Sequence, residues 1–266
     1  MGADFESGFA GNVKLAKTPD GRQCVYKSYS GQLETLIDEE WDTLKFLHGL
    51  GYSVPEPYDR RDNGICMQYI DGGTLWDNYQ NAGAVPRWEM MKKFSDLLVK
   101  LHEINLDKVN LPRDENFVQG EIARIRQISS KFNDYDMFIN KLDAASKNVV
   151  SRPLCLIHND YHPWNVLADK QGSLYVIDFV LTAGDFRYDV AWTYALMKRT
   201  GFEAFAEDFL KEYRNYRPDI DSDFEFFIQL SNLRWLVNVM AATRENDDAS
   251  PFFAEMIKQA EGLMHL

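Results

Sequence analysis

The sequence predicts an α+β chain of two lobes, a small β-rich one with a single helix over residues 1–71 and a larger helical one over residues 72–266. Three observations predict this. Short strand-like runs joined by turn residues fill the first 71 positions, amphipathic periodicity dominates most of the rest, and Gly72-Gly73 stands between the two regimes. A chain of 266 residues, 45% hydrophobic and 14% aromatic, has the apolar content to bury a sizeable core.

Each element follows from local chemistry. "NVKLAKTPDGRQCVYKSYS" is two strand candidates joined by Thr18-Pro19-Asp20-Gly21, where proline presets φ and glycine turns the corner. "GQLETLIDEEWDTLKFLHGLG" sets Leu33, Leu36, Ile37, Leu44 and Leu47 at helical spacing, and Gly49 and Gly51 stop it. "GICMQYI" is a short apolar strand closed by Asp71-Gly72-Gly73. Beyond it, "RWEMMKKFSDLLVKLHEI" and "ENFVQGEIARIRQISSKF" are amphipathic helices, and "PLCLIH" and "SLYVIDF" interrupt as strands. From Asp185 onward the pattern is several helices separated by "YRPDIDSD" and "ENDDASP".

Composition narrows the function. A formal net charge of −12 argues against nucleic acid, whose phosphates need a basic face, and suits a cationic small ligand, although solubility alone accounts for it more simply. No apolar run is long enough to span a bilayer, and "MGADFESGFAGNV" lacks both a signal-peptide pattern and the Ser or Thr of a myristoylation site. Three cysteines far apart, Cys24, Cys66 and Cys155, argue against a zinc cluster or disulfide framework and for a reducing cytoplasm.

Four features carry chemistry. "SGFAGNVKL" places Gly8 and Gly11 before Val13, where a turn without side chains brings backbone N–H groups to phosphate oxygens. Lys27 sits in the second strand, and Glu40 lies on the apolar stripe of the following helix, where a carboxylate needs a cationic partner. Lys27 is that partner, with Glu39 nearer the polar flank, and the pair is suited to nucleotide phosphates. "HNDYHPWN" invites a two-histidine metal site, but it supplies no third ligand at the right spacing, and Pro163 breaks any helix. Its His-x-Asp core, with Asn165 five residues on, matches a catalytic loop: Asp160 orients a hydroxyl and accepts its proton, and Asn165 binds a divalent ion. Asp178 ends "SLYVID", and a hairpin through Lys170-Gln171-Gly172 returns it beside Asn165, giving the hard oxygens Mg²⁺ prefers.

With these residues in order, the sequence resembles the aminoglycoside phosphotransferase and choline kinase group of the protein-kinase-like superfamily. "IHNDYHPWNVL", "VIDF" and "GDFRYDVAW" resemble its signature block, and "EEWDTLKFLHGLGYSVPEPY", "MQYIDGGTLWD" and "LLVKLH" extend the match. The resemblance implies a protein-kinase-like fold with ATP or GTP and Mg²⁺ as cofactors. It implies that Lys27 and Glu40 anchor phosphates, Asp160 is the catalytic base, and Asn165 and Asp178 hold magnesium. It further implies adenine contacts from the backbones of Gln68 and Ile70, an adenine pocket lined by Leu167 and Ile177, and structural support from His158 and Asp189. Two departures matter. Glu6 replaces the first glycine of the loop, and Val180 stands where protein kinases carry the glycine of D-F-G. Asp178 and Asp189 are only eleven positions apart, with no A-P-E sequence between, which favours a small-molecule hydroxyl acceptor over a protein. An aminoglycoside or other amino sugar suits the charge; choline or ethanolamine would require an aromatic cage, for which Trp192, Trp235 and Tyr161 are candidates. The degraded glycine loop leaves a regulatory pseudokinase as a further alternative. The sequence does not speak to oligomeric state.

Overall fold

The computed structural model describes residues 12–29, 36–61, 63–130, 135–246, 257–258 and 262. The described residues form two compact units, one drawn from 1–97 and 163–179, the other from 98–162 and 180–266. The architecture is α+β, as expected.

The first unit contains a four-stranded antiparallel sheet of order β1-β2-β4-β3. Its strands are β1 (Asn12–Lys17), β2 (Gln23–Ser28), β3 (Pro57–Arg61) and β4 (Gly64–Gln68). The β1–β2 turn closes through Gly21 at φ +88°, whose N–H donates to the Thr18 carbonyl at 2.9 Å. β3 escapes the sequence reading because "PYDRR" is polar and opens with proline; it lies at the sheet edge, where a missing N–H breaks no ladder. Helix α1 (Leu36–Gly49) buries Ile37, Leu44 and Leu47 on one face and packs on β3 and β4.

The cysteine expectation is corrected here. The antiparallel β2–β4 ladder pairs Cys24 with Gln68 and Tyr26 with Cys66, so the two cysteines sit diagonally across neighbouring strands. They are joined in a disulfide with Cα atoms 6.1 Å apart, and Cys155 is the free thiol. A sequence separation of 42 residues is cancelled by the ladder, so cysteine spacing carries no argument about compartment.

A two-stranded ribbon of β6 (Val166–Ala168) and β7 (Leu174–Val176) completes the first unit with α2 (Leu75–Asn81) and the first part of α3 (Ala84–His102). The Gly72-Gly73 pair expected at the lobe boundary falls inside this unit. Ala168 N–H donates to the Gly73 carbonyl at 2.9 Å, and a Cβ on Gly72 would collide with the Ala168 carbonyl oxygen. Close backbone approach to the ribbon at Gly72 and a left-handed φ of +85° at Gly73 account for these glycines.

The second unit packs α4 (Phe117–Ser129), α5 (Asp136–Ser146), α6 (Phe186–Arg199), α7 (Glu203–Tyr216) and α8 (Phe224–Asn246), with a short pair β5 (Cys155–Ile157) and β8 (Thr182–Gly184). Helix α6 is buried nearly all round, including Arg187, Asp189 and Arg199, and contacts both α7 and α8. Its polar side chains therefore need partners or ligands. Among the described residues no helix is long and apolar enough to cross a membrane.

Candidate active site

Two clusters of functional side chains are present, one within each unit. In the first unit, β2 presents Lys27 on the sheet and α1 presents Glu40 on its packed face. The Lys27 Nζ lies 3.0 Å from both Glu40 carboxylate oxygens and 2.5 Å from Asp178 Oδ1. Glu40, not Glu39, makes the contact. The Lys27 and Glu40 side chains are 9% and 15% exposed, whereas Asp178 is 39% exposed and so accessible to a ligand.

The ribbon positions Asp178. Val166 pairs with Val176, and Ile177 N–H donates to the Asn165 carbonyl at 3.0 Å. Asn165 and Asp178 therefore flank the same end of the ribbon. The connecting turn is fixed by Asp169, whose Oδ1 accepts from the N–H groups of Gln171 and Ser173. Asp178 itself adopts φ +58°, a left-handed conformation that Asp tolerates better than most residues.

Charge in this cluster is unbalanced: two carboxylates face one ammonium. Burial pulls the Lys27 ammonium toward deprotonation, but Glu40 and Asp178 outweigh it and hold its pKa above the usual lysine value. Burial pushes the Glu40 carboxyl up; Lys27 opposes this and the Asp178 charge adds to it. Excess negative charge in a poorly hydrated place makes both groups hold protons more tightly. An amide oxygen and an exposed carboxylate at one ribbon end fit a hard divalent cation, which commonly takes one or two protein oxygens and fills its shell with phosphate and water.

The remaining nucleotide candidates are placed as follows. Leu167 lies opposite Tyr175 and on the same ribbon face as Ile177, both half-buried, while Val166, Ala168, Leu174 and Val176 point to the core. Gln68 N–H donates to the Glu56 carbonyl at 2.8 Å, and Ile70 is buried. Gly8 and Gly11 lie outside the described residues, as does Glu6.

In the second unit the chain leaves β5 into His158, Asn159 and Asp160. Asn159 takes φ +68°, and the bend is held by Asp189, whose carboxylate accepts from His158 N–H at 2.6 Å and Asn159 N–H at 2.7 Å. His102 Nε2 lies 3.2 Å from the same carboxylate and its Nδ1 lies 2.8 Å from the Tyr213 hydroxyl. Asp160 N–H donates to His158 Nδ1 at 3.2 Å. Helix α6 adds two further ties one turn on from Asp189: Trp192 Nε1 donates to Asp160 Oδ1 at 2.9 Å, and Thr193 Oγ1 donates to the Tyr161 carbonyl at 2.7 Å. Residues three and four apart share a helix face, so a single face of α6 holds the loop.

The Asp160 side chain keeps 35% of its surface exposed. Burial pushes its pKa up, but the His162 ring (Nε2 3.6 Å from Oδ1), then His158 and Arg234, more than offset this and hold it at about 2. Its carboxylate is therefore ionised at neutral pH. Arg234 donates to Asn159 Oδ1 and to the Tyr188 hydroxyl at 3.3 Å, and stacks 4.5 Å from the Trp192 ring. Sequence reasoning missed Trp192 as a partner of Asp160, along with Thr193, His102 and Arg234. The spacing from Asp189 signals the first two; no local pattern signals the others.

The comparisons with known proteins settle the family. A family model described as "Phosphotransferase enzyme family" matches residues 3–222. The chain belongs to that family. No curated protein sequence matches this family member. Its fold is the protein-kinase-like one, shared with phosphotransferases of known structure. A protein of Ralstonia eutropha provisionally classed as an aminoglycoside phosphotransferase aligns with a TM-score of 0.76 at 16% identity, over 99% of this chain and 90% of its own. A choline kinase of Streptococcus pneumoniae gives 0.68 at 20% identity, over 98% and 93%. The ADP-bound aminoglycoside phosphotransferase APH(2'')-Ib gives 0.68 at 20% identity, over 100% and 92%.

Proposed function

We propose that this phosphotransferase moves the γ-phosphoryl group of ATP to a hydroxyl group of a small molecule. The observation that carries the reading is Lys27 held between Glu40 and the accessible Asp178. That arrangement is short of positive charge, as expected of residues that meet a metal–nucleotide complex. Asn165 and Asp178 would hold Mg²⁺, which when bound neutralises phosphate charge during transfer. Lys27, fixed by Glu40, places its ammonium on phosphate oxygens. Leu167 and Ile177 offer an apolar face to the base, and Ile70 with Gln68 the adjoining backbone. The ADP-bound neighbour supports nucleotide use.

Asp160 receives the acceptor hydroxyl. An ionised carboxylate with a pKa near 2 is a weak base, so it orients the hydroxyl first and takes the proton only as transfer proceeds. The acceptor oxygen forms its bond to the γ-phosphorus, the bridging oxygen–γ-phosphorus bond breaks, ADP leaves, and the proton passes from Asp160 to solvent. His158 and Asp189 hold the loop and touch no reacting atom. On this account catalysis is positioning and charge neutralisation.

Expectations for an amino-sugar acceptor rested on the net charge of the whole chain, and Arg234, which acts on Asp160, carries the opposite sign. An aromatic cage for a quaternary ammonium fares no better, because Trp192 has two guanidinium groups against its ring. Calorimetric titration with Mg²⁺·ATP tests the nucleotide half: wild type binds, and Lys27→Met and Asp178→Asn each weaken binding at least tenfold. Equal affinity in both variants contradicts it. A regulatory pseudokinase would bind the nucleotide and release no ADP with any acceptor.

A further inference from the structure

Two buried arginines of the second unit make an instructive pair. Arg187, fully buried, donates to both Asp185 oxygens, to Asp223 and to the carbonyls of Val150 and Ser222. That is what a structural buried guanidinium requires. Arg199, equally buried on the same helix, donates one hydrogen bond, to Asn232 Oδ1 at 2.6 Å. Among the described residues its Nε and Nη2 have no acceptor, nor has Asn232 Nδ2, nor Arg234 Nε. Among the described residues neither Arg199 nor Arg234 is ion-paired with a carboxylate. Both guanidinium groups pack on Trp192, at 5.6 and 4.5 Å from its ring, and the Trp192 N–H is bonded to Asp160.

All four orphaned nitrogens are donors, and the two arginines bring two positive charges; burial opposes that of Arg234 but Tyr188, Glu121 and Asp160 support it, whereas among the described residues no carboxylate supports that of Arg199. Burial, then the charge of Arg234, lowers the Arg199 pKa to about 9, which still leaves it protonated at neutral pH. Such a cluster is costly unless something anionic with several acceptor oxygens completes it. Arg234 is 8% exposed and Trp192 7%, beside the accessible Asp160, so a ligand reaches Arg234 first.

We propose that the acceptor is an anionic alcohol, a hydroxycarboxylate whose carboxylate is received by Arg234 and whose hydroxyl is presented to Asp160. Arg199 is a positioning residue: its charge, transmitted through Trp192 and Asn232, strengthens anion binding without touching the reacting atoms. The anion site itself stands on the arginine geometry; naming its ligand as the acceptor rests on the phosphotransferase reading.

Two measurements separate those claims. The first is thermal denaturation in Mg²⁺-free buffer with about 50 mM malonate against chloride of equal ionic strength, where a carboxylate site shifts the midpoint upward by roughly 2–4 °C. Wild type, Lys27→Met and Asp160→Asn show the shift, and Arg234→Met loses it. Arg234→Lys, which keeps the charge and loses the fork, shows a reduced shift and serves if Arg234→Met fails to fold. No shift in wild type, or a full shift in both Arg234 variants, overturns the site. The second is ADP release from Mg²⁺·ATP with D-glycerate and D-gluconate, with glycerol and glucose, and with kanamycin and choline. Turnover is expected with an anionic member, with KM raised on the order of 50-fold in Arg234→Met and roughly fivefold in Arg199→Met, kcat being nearly unchanged in the latter. Turnover of kanamycin or choline overturns the anionic acceptor. A malonate shift with a silent panel keeps the anion site and counts against the kinase reading and the acceptor assignment together.

Discussion

The two clusters are unbalanced in opposite directions. Around Lys27, two carboxylates face one ammonium, and protons are held more tightly. Around Trp192, two guanidinium groups have no carboxylate at ion-pair distance among the described residues, and Arg199 holds its proton less tightly than an ordinary arginine. The buried charge of Arg187, by contrast, is satisfied by Asp185 and Asp223. On the proposed reading each imbalance marks a place where a ligand would supply the missing charge: a metal–nucleotide in one, an anion in the other. Net charge of −12 describes neither cluster, because local fields are set by the few groups within a Debye length.

Variants that correct or worsen each imbalance sharpen this contrast. The largest effect is expected from Asp160→Asn and Asp178→Asn, each lowering kcat by on the order of 10³-fold in an ADP-release assay. Near-wild-type turnover in Asp160→Asn removes the proposed role of that carboxylate. Next comes Asp189→Ala, which leaves two buried N–H groups and His102 without their acceptor; denaturant unfolding should show a loss of about 3 kcal/mol. A smaller, opposite effect is expected from Arg199→Met. Removing an unpaired buried charge while keeping its packing should raise the ligand-free midpoint by about 2–4 °C, and a drop of similar size means the guanidinium is structural after all.

The smallest effect is one of pH. The folded pKa of Asp160, about 2, lies below its unfolded value of roughly 3.9. Ionised Asp160 thus contributes stability that is fully present above the unfolded value and fades as pH falls toward 2. Wild type should lose more of its unfolding midpoint than Asp160→Asn between about pH 4 and pH 2. Parallel curves over that window would show that His162, His158 and Arg234 do not hold the carboxylate down.

How far the sequence reaches differs between the clusters. Lys27, Glu40, Asn165 and Asp178 are legible because strand alternation, helical spacing and a hairpin each fix where a side chain goes over short distances. The loop around Asp160 is legible as a segment that follows a strand, whereas the supporting roles of His158 and Asp189 come from the family resemblance alone. Arg234 and Asn232 are not, since a helix packed into a core by long-range contacts gives no local hint of which residue meets the loop. Arg199 looks like an ordinary last-turn cation of α6 until its burial is seen. The Cys24–Cys66 bond and the edge strand β3 were hidden likewise, one by a ladder that joins distant positions and one by a polar composition. The place of Gly72-Gly73 was misread because a glycine pair signals close backbone approach as readily as a linker.

The most direct test of the account is acceptor-dependent ADP release from Mg²⁺·ATP by the wild type and Asp160→Asn, with acceptors sorted by charge. The account predicts release by wild type with an anionic alcohol, little with neutral or cationic ones, and its loss in Asp160→Asn. Release that survives in Asp160→Asn, or that appears only with cationic acceptors, would contradict it.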